Sequence, residues 1–237
     1  VVLIGSPGGR NVASAAGAAT GGRGSLQREG VIGRREDNKR RKREALLAQG
    51  AARFAADGYS AASIEQIASA AGVARGTFYL YFDDKLALFE ALVDTFFEPL
   101  ADVLRTTGQR IAAAGDRGAV AEAYQQMAHD LAVVGLAHAD LIPLAFQASR
   151  QPHEAGQRLR AREQALIEVV VGFTADAAER GLLDVKHPRV ATLVVYGAVE
   201  RLFYEFLSGS DLGGDPGAVA QEVVGLFGVA MGFEEAS

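Results

Sequence analysis

The stretch from Ser63 to Lys85, SIEQIASAAGVARGTFYLYFDDK, constrains the fold more than any other part of the chain. It reads as two short helices around a tight turn, followed at once by the start of a third helix. Ser63 and Gln66 form a capping box, in which the serine hydroxyl accepts from the Gln66 N–H and the glutamine side chain reaches back. Ile64, Ile67, Ala68 and Ala71 recur at helical spacing and give the first helix one apolar face. Gly72 follows them where the backbone must turn left-handed, which glycine does without strain. Val73 fills the corner between the helices. Phe78 and Phe82 lie four apart on the side of the second helix facing Ile67 and Ala68, and Ala68 is small where two helices cross. The pattern is a helix-turn-helix, whose second helix enters the DNA major groove.

With Phe78 and Phe82 turned inward, Arg75, Thr77, Tyr79 and Tyr81 remain for solvent or a partner. Two tyrosines beside an arginine and a threonine suit base edges and phosphates better than water. The alternative is that one of the tyrosines closes the small core with its ring, since tyrosine has an apolar body and a polar tip.

The run AGVARGTFYLYFDDKLALF, with a basic helix before it, resembles the TetR family of one-component bacterial transcription regulators. The shared features are Ala-Gly-Val, Gly-Thr-aromatic-Tyr, Tyr-Phe, and Lys85 three residues after Phe82. The resemblance implies contacts to the DNA backbone from Ser63, Gly76, Thr77 and Lys85, and base or mixed contacts from Arg75, Tyr79 and Tyr81. Ala74 departs from the pattern where a serine or threonine commonly caps the recognition helix. Leu80 departs where a second polar aromatic is frequent. Both departures bear on the operator sequence rather than on DNA binding.

Charge supports a nucleic-acid partner once its distribution is considered. The formal net charge is −5, but residues 1–85 carry 13 Lys and Arg against 8 Asp and Glu. The remainder carries 11 against 21, so a basic N-terminal part precedes an acidic body. Arg40, Arg41, Lys42 and Arg43 begin the helix that runs to Asp57-Gly58. At a helix N-terminus they oppose the dipole, so phosphate contact by residues such as Arg40 and Arg43 explains them better than helix stability does. A solvated basic face is the alternative. With no cysteine, disulfides and thiolate metal sites are excluded. No apolar run approaches the ~20 residues of a membrane span, and the opening VVLI lacks the length and basic flank of a signal peptide. The expectation is a cytoplasmic protein without a membrane partner.

The predicted fold is all-α. Residues 1–33, rich in Gly, Ala and Ser, are expected to be a disordered arm. Residues 34–83 form a three-helix DNA-binding domain with the helix-turn-helix, and 84–237 a larger helical domain for ligand binding and dimerisation. A fourth helix from Asp84 to about Thr107, with Pro99 inside it, belongs to both domains and acts as a lever between them. Further helices fall near 116–137, 139–150, 153–181, 187–208 and 215–232. The last two are apolar around much of their circumference, as central or interface helices are. The resemblance implies that they pair with their copies in a two-fold dimer, and paired half-sites on DNA require the same.

The resemblance also implies an effector cavity in the larger domain. Phe96, Tyr124, Met127, Phe146 and Phe173 lie on its apolar stripes, and Gln147 is a polar group that could orient a small hydrophobic or amphipathic molecule. Plain core packing is the alternative for each. No enzyme is expected: His129, His138, His153 and His187 show no metal-ligand spacing, and neither a Gly-x-Ser-x-Gly elbow nor a cysteine nucleophile occurs. No cofactor or metal is implied.

Overall fold

The computed structural model describes residues 22–211 together with Gly225 and Gly228. Among the described residues there are eight helices and no strand. They are α1 (Gly22–Ala61), α2 (Ile64–Ala70), α3 (Arg75–Phe78), α4 (Lys85–Ala113), α5 (Arg117–Ala137), α6 (Ile142–Ser149), α7 (Glu154–Glu179) and α8 (Pro188–Leu207). The final helix expected at 215–232 lies outside the described residues except for those two glycines, as do residues 1–21 of the expected arm.

Two compact units divide the chain, Val1–Arg43 and Glu44–Ser237. Over its described residues the first unit is the opening part of α1. That helix starts at Gly22, inside the stretch expected to be a disordered arm, because Leu26, Gln27, Arg28 and Glu29 are good helix formers and no proline interrupts them. Arg40 to Arg43 therefore sit within a helix, not at its N-terminus, and the dipole argument for their charge does not apply. At Gly58 the backbone leaves the helix with φ +77°, a value L side chains rarely adopt.

In the second unit several helix starts are capped by side chains. Asp84 caps α4 through Ala87 N–H (2.7 Å), Asp116 caps α5 through Ala119 N–H (2.9 Å), and His153 caps α7 by accepting at Nδ1 from Gly156 N–H (2.9 Å). Pro99 sits inside α4 without ending it.

Two apolar cores fill this unit. The first joins Leu46, Phe54, Ile67, Phe78 and Phe82 to Leu88, Phe89, Leu92 and Phe97 of α4, and continues to Leu144, Ala148 and Leu159 of α6 and α7. Packing is therefore continuous across residues 83–84, where the sequence reading places a domain boundary. The second core gathers Leu104 and Ile111 of α4, Val120, Tyr124 and Met127 of α5, and Phe173 and Ala177 of α7. The first half of α4 belongs to one core and the second half to the other, with Pro99 between. Leu166 of α7 packs against both.

Candidate nucleic-acid interface

The helix-turn-helix is built by local chemistry that the sequence specifies. Ser63 and Gln66 exchange both bonds of the capping box, Gln66 N–H to Ser63 Oγ at 3.2 Å and Ser63 N–H to Gln66 Oε1 at 3.0 Å. At the other end of α2, Gly72 adopts φ +68°. Val73 N–H then reaches the Ala68 carbonyl at 3.0 Å and Gly72 N–H the Ser69 carbonyl at 3.1 Å, the paired bonds of a Schellman turn. This geometry aims α3 so that Phe78 and Phe82 point into the core, where both are buried.

The α-helical part of the recognition segment is only Arg75–Phe78, shorter than the pattern through Phe82 predicts. Beyond it Leu80 N–H bonds the Thr77 carbonyl (3.2 Å) and Tyr81 N–H the Phe78 carbonyl (2.9 Å), so the chain tightens into three-residue turns. Two causes act together. Ala74 at the N-cap provides no side-chain bond, and Asp84 captures the following residues for α4.

The expected contact residues take distinct positions. Arg75, Gly76 and Tyr79 are exposed, whereas Thr77 and Tyr81 are half-buried. Tyr81 packs against the first core, so it is the tyrosine that uses its ring for packing; Tyr79 turns its ring edge-on to Phe78 at 5.5 Å and stays 44 % exposed. A Cβ on Gly76 would meet no atom within 4 Å, so the chain's own packing does not demand glycine there. Ser63 spends its oxygen on the cap, and its hydroxyl proton is left to donate. Arg40 and Arg43 lie exposed in the first unit, and Arg40 pairs with Asp37 at 3.0 Å.

Arg75 is held by a residue the sequence reading missed. Its guanidinium lies 2.8 Å from Glu65 Oε1. A hydrogen bond with Tyr79, then the Glu65 carboxylate, raise its pKa above the ordinary arginine value. The available signal was the lone carboxylate in the first turn of α2, a position the helix dipole favours.

Lys85 receives a different task from the phosphate contact implied for it. Its ammonium donates to the carbonyls of Tyr59 (2.7 Å), Ala62 (2.9 Å) and Ser60 (3.1 Å), and lies 4.7 Å above the Tyr59 ring. Its three N–H donors are thus committed to the end of α1, whose last carbonyls have no helical partner. Burial lowers the Lys85 pKa. Tyr59 is the hub of this corner, with its ring 5.5 Å from Phe54, 5.2 Å from Phe89 and 4.8 Å from His153.

Residues 46–92 match the family model described as bacterial regulatory proteins, tetR family. That match spans the helix-turn-helix and the start of α4. Solved structures extend the likeness of fold over most of the chain. The fatty acid degradation regulator FadR from Bacillus halodurans is 21% identical, with a TM-score of 0.60 over 83% of this chain and 97% of that one. The regulator FadR from Bacillus subtilis, in complex with stearoyl-CoA, is 19% identical, with a TM-score of 0.60 over 78% and 96%. A TetR-family member from Streptomyces coelicolor is 22% identical, with a TM-score of 0.55 over 81% and 91%. No curated protein sequence matches the chain.

The six residues expected to line an effector cavity are not brought together. Tyr124, Met127 and Phe173 are buried in the second core, where the Tyr124 hydroxyl meets Thr174 Oγ1 at 2.6 Å. Phe96 borders an apolar void of about 10 Å³ between α4 and α6. Phe146 lies between the Arg150 guanidinium, 3.2 Å from its ring centre, and Tyr204, stacked at 4.2 Å. Gln147 faces a separate cleft of about 190 Å³, lined also by Asp57, Tyr59, Ser60 and His153. Around Tyr124, Met127 and Phe173 the apolar stripes of α4, α5 and α7 close on one another, as densely packed interiors do. Among the described residues no single helix is long and apolar enough to cross a membrane.

Proposed function

We propose that this transcription regulator acts as a homodimeric repressor that holds a palindromic operator and releases it on binding a small hydrophobic or amphipathic effector. The observation that carries the reading is the recognition segment, which presents Arg75, Gly76 and Tyr79 outward on a turn whose other side is anchored by Phe78 and Phe82. Arg75 reads base edges after exchanging Glu65 for DNA, Tyr79 makes mixed contacts, and Tyr81 reaches the groove only with its hydroxyl tip. Ser63, Gly76 and Thr77 meet the sugar-phosphate backbone; open space at Gly76 permits close approach. Arg40 and Arg43 add phosphate contacts.

The dimer forms through α8 and the segment expected from the sequence as a last helix, near 215–232. Support comes from Val190, Leu193 and Val194, which with Gly197 make one exposed apolar face on α8 at helical spacing. The two recognition segments then sit about 34–36 Å apart, one turn of B-DNA. Effector binding beside α4 changes that separation, and coupling of about 1–3 kcal/mol suffices to release the DNA.

The stearoyl-CoA complex of a structural neighbour suggests an acyl chain as the effector class. The apolar void beside Phe96, about 10 Å³, is too small for one, so on this reading a larger cavity opens as the ligand enters. The same packed interior favours a second reading, a DNA-binding dimer with no small-molecule effector. The test is binding to the DNA flanking the protein's own gene, with salt and competitor titrations, repeated with a panel of acyl-CoAs. Two-fold symmetric protection that survives competitor supports the operator reading, and fully competed binding refutes it. Release by an acyl-CoA supports the effector; no release by any of them supports the second reading.

A further inference from the structure

We propose that Leu80 is a specificity residue that reads thymine, its side chain seated against the 5-methyl group of one thymine in each half-site. The inference rests on the DNA-binding reading above and narrows it to one side chain and one base. At 76 % exposure, Leu80 exceeds every other exposed large apolar residue among the described residues, including those of α8. Its exposure is not that of a loose segment. The Leu80 N–H is fixed to the Thr77 carbonyl at 3.2 Å, and its neighbours Phe78 and Phe82 are 0 % and 4 % exposed. The turn that presents Arg75 and Tyr79 therefore also presents an isobutyl group outward, in register with them.

In the major groove the thymine methyl is the one apolar group that projects from a base edge; cytosine offers only a flat C5–H beside its amino group, and the purines offer acceptors or an amino group. A leucine over the amino group of cytosine or adenine would strip it of water and return no hydrogen bond. The same leucine over a thymine methyl buries two apolar surfaces at once. Leu80 thus discriminates by attraction to one base and by penalty against the others, while its polar neighbours Arg75 and Tyr79 serve adjacent positions.

The experiment uses the full chain. Binding sites are selected from random duplex DNA with the wild-type protein and with Leu80→Ala. Each thymine the wild type selects is then replaced by deoxyuridine, which deletes only the methyl. The expected wild-type loss is about fourfold for one half-site and about fifteenfold for both, the value of one buried methyl-sized group each. Leu80→Ala, its fold checked by circular dichroism, is expected to bind thymine and deoxyuridine sites equally and to lose the selected thymine. Deoxyuridine that weakens both proteins alike, or neither, overturns the assignment while leaving DNA binding intact. A wild-type protein that selects no sequence overturns the DNA-binding reading and this inference with it.

Discussion

Replacing Lys85 by methionine separates two roles a lysine at this place can have. Methionine keeps the apolar stem and removes the ammonium, so the carbonyls of Tyr59, Ser60 and Ala62 lose their donor. The Ser60 bond is exposed, and water replaces it at little cost; the bonds to Tyr59 and Ala62 are part-buried. Each part-buried carbonyl left without a partner costs about 1–1.5 kcal/mol, for a total of about 2–3 kcal/mol. At a typical urea dependence of about 2 kcal/mol per molar, the unfolding midpoint falls by about 1–1.5 M. The companion assay is operator binding at several salt concentrations. A lysine that neutralises a phosphate contributes about 0.9 to the slope of log affinity against log salt. A lysine that caps α1 contributes nothing to that slope. The expectation is a lower urea midpoint with an unchanged slope; an unchanged midpoint with a slope shallower by about one would refute the capping argument.

Arg75→Ala is expected to relax preference at one base position per half-site by about 1–3 kcal/mol, read by binding to single-substituted operators. Uniform weakening across all sequences would show a phosphate contact instead. Val194→Glu, on the exposed face of α8, is expected to shift the protein to monomer in sedimentation and to lower operator affinity; a dimer that survives the charge places the interface elsewhere. Glu163 titrates at about 7, raised first by burial and then by Glu200. Because its pKa is higher in the folded state, its contribution is fully present below the unfolded value near 4.5 and is lost as pH rises through 7. Glu163→Gln should therefore flatten the decline in stability across that window, by about 1–2 kcal/mol after solvent screening, measured by urea unfolding at pH 5 and pH 8.

Local signals in the sequence translated directly into structure. The Ser63–Gln66 box, the left-handed Gly72 and the inward pair Phe78 and Phe82 depend on residues within a few positions of one another, and each formed as read. What was not legible depends on distance along the chain. Lys85 finds the Tyr59 carbonyl 26 residues away, and no local pattern announces an ammonium bound across two helix ends. The spread of the effector candidates over separate surroundings has a related reason. A stripe shows that Tyr124 and Phe173 face inward, but whether they enclose a space or fill it depends on how far apart the facing helices stand. The start of α1 was misplaced because a Gly- and Ser-rich composition outweighed the helix-forming run from Leu26 to Glu29.

The division of α4 between two cores has an evolutionary consequence. Substitutions around Tyr124, Met127 and Phe173 alter a core that contains none of the residues holding the recognition segment. Their energetic effects reach it along α4 and along α7, whose Leu166 packs against both cores, and effects on residues without shared partners stay largely local. Such insulation lets the interior of the second core drift in size and polarity without loss of the reading head. New chemical signals can then be acquired one neutral step at a time, with the stretch containing Pro99 as the shared boundary that both halves must keep.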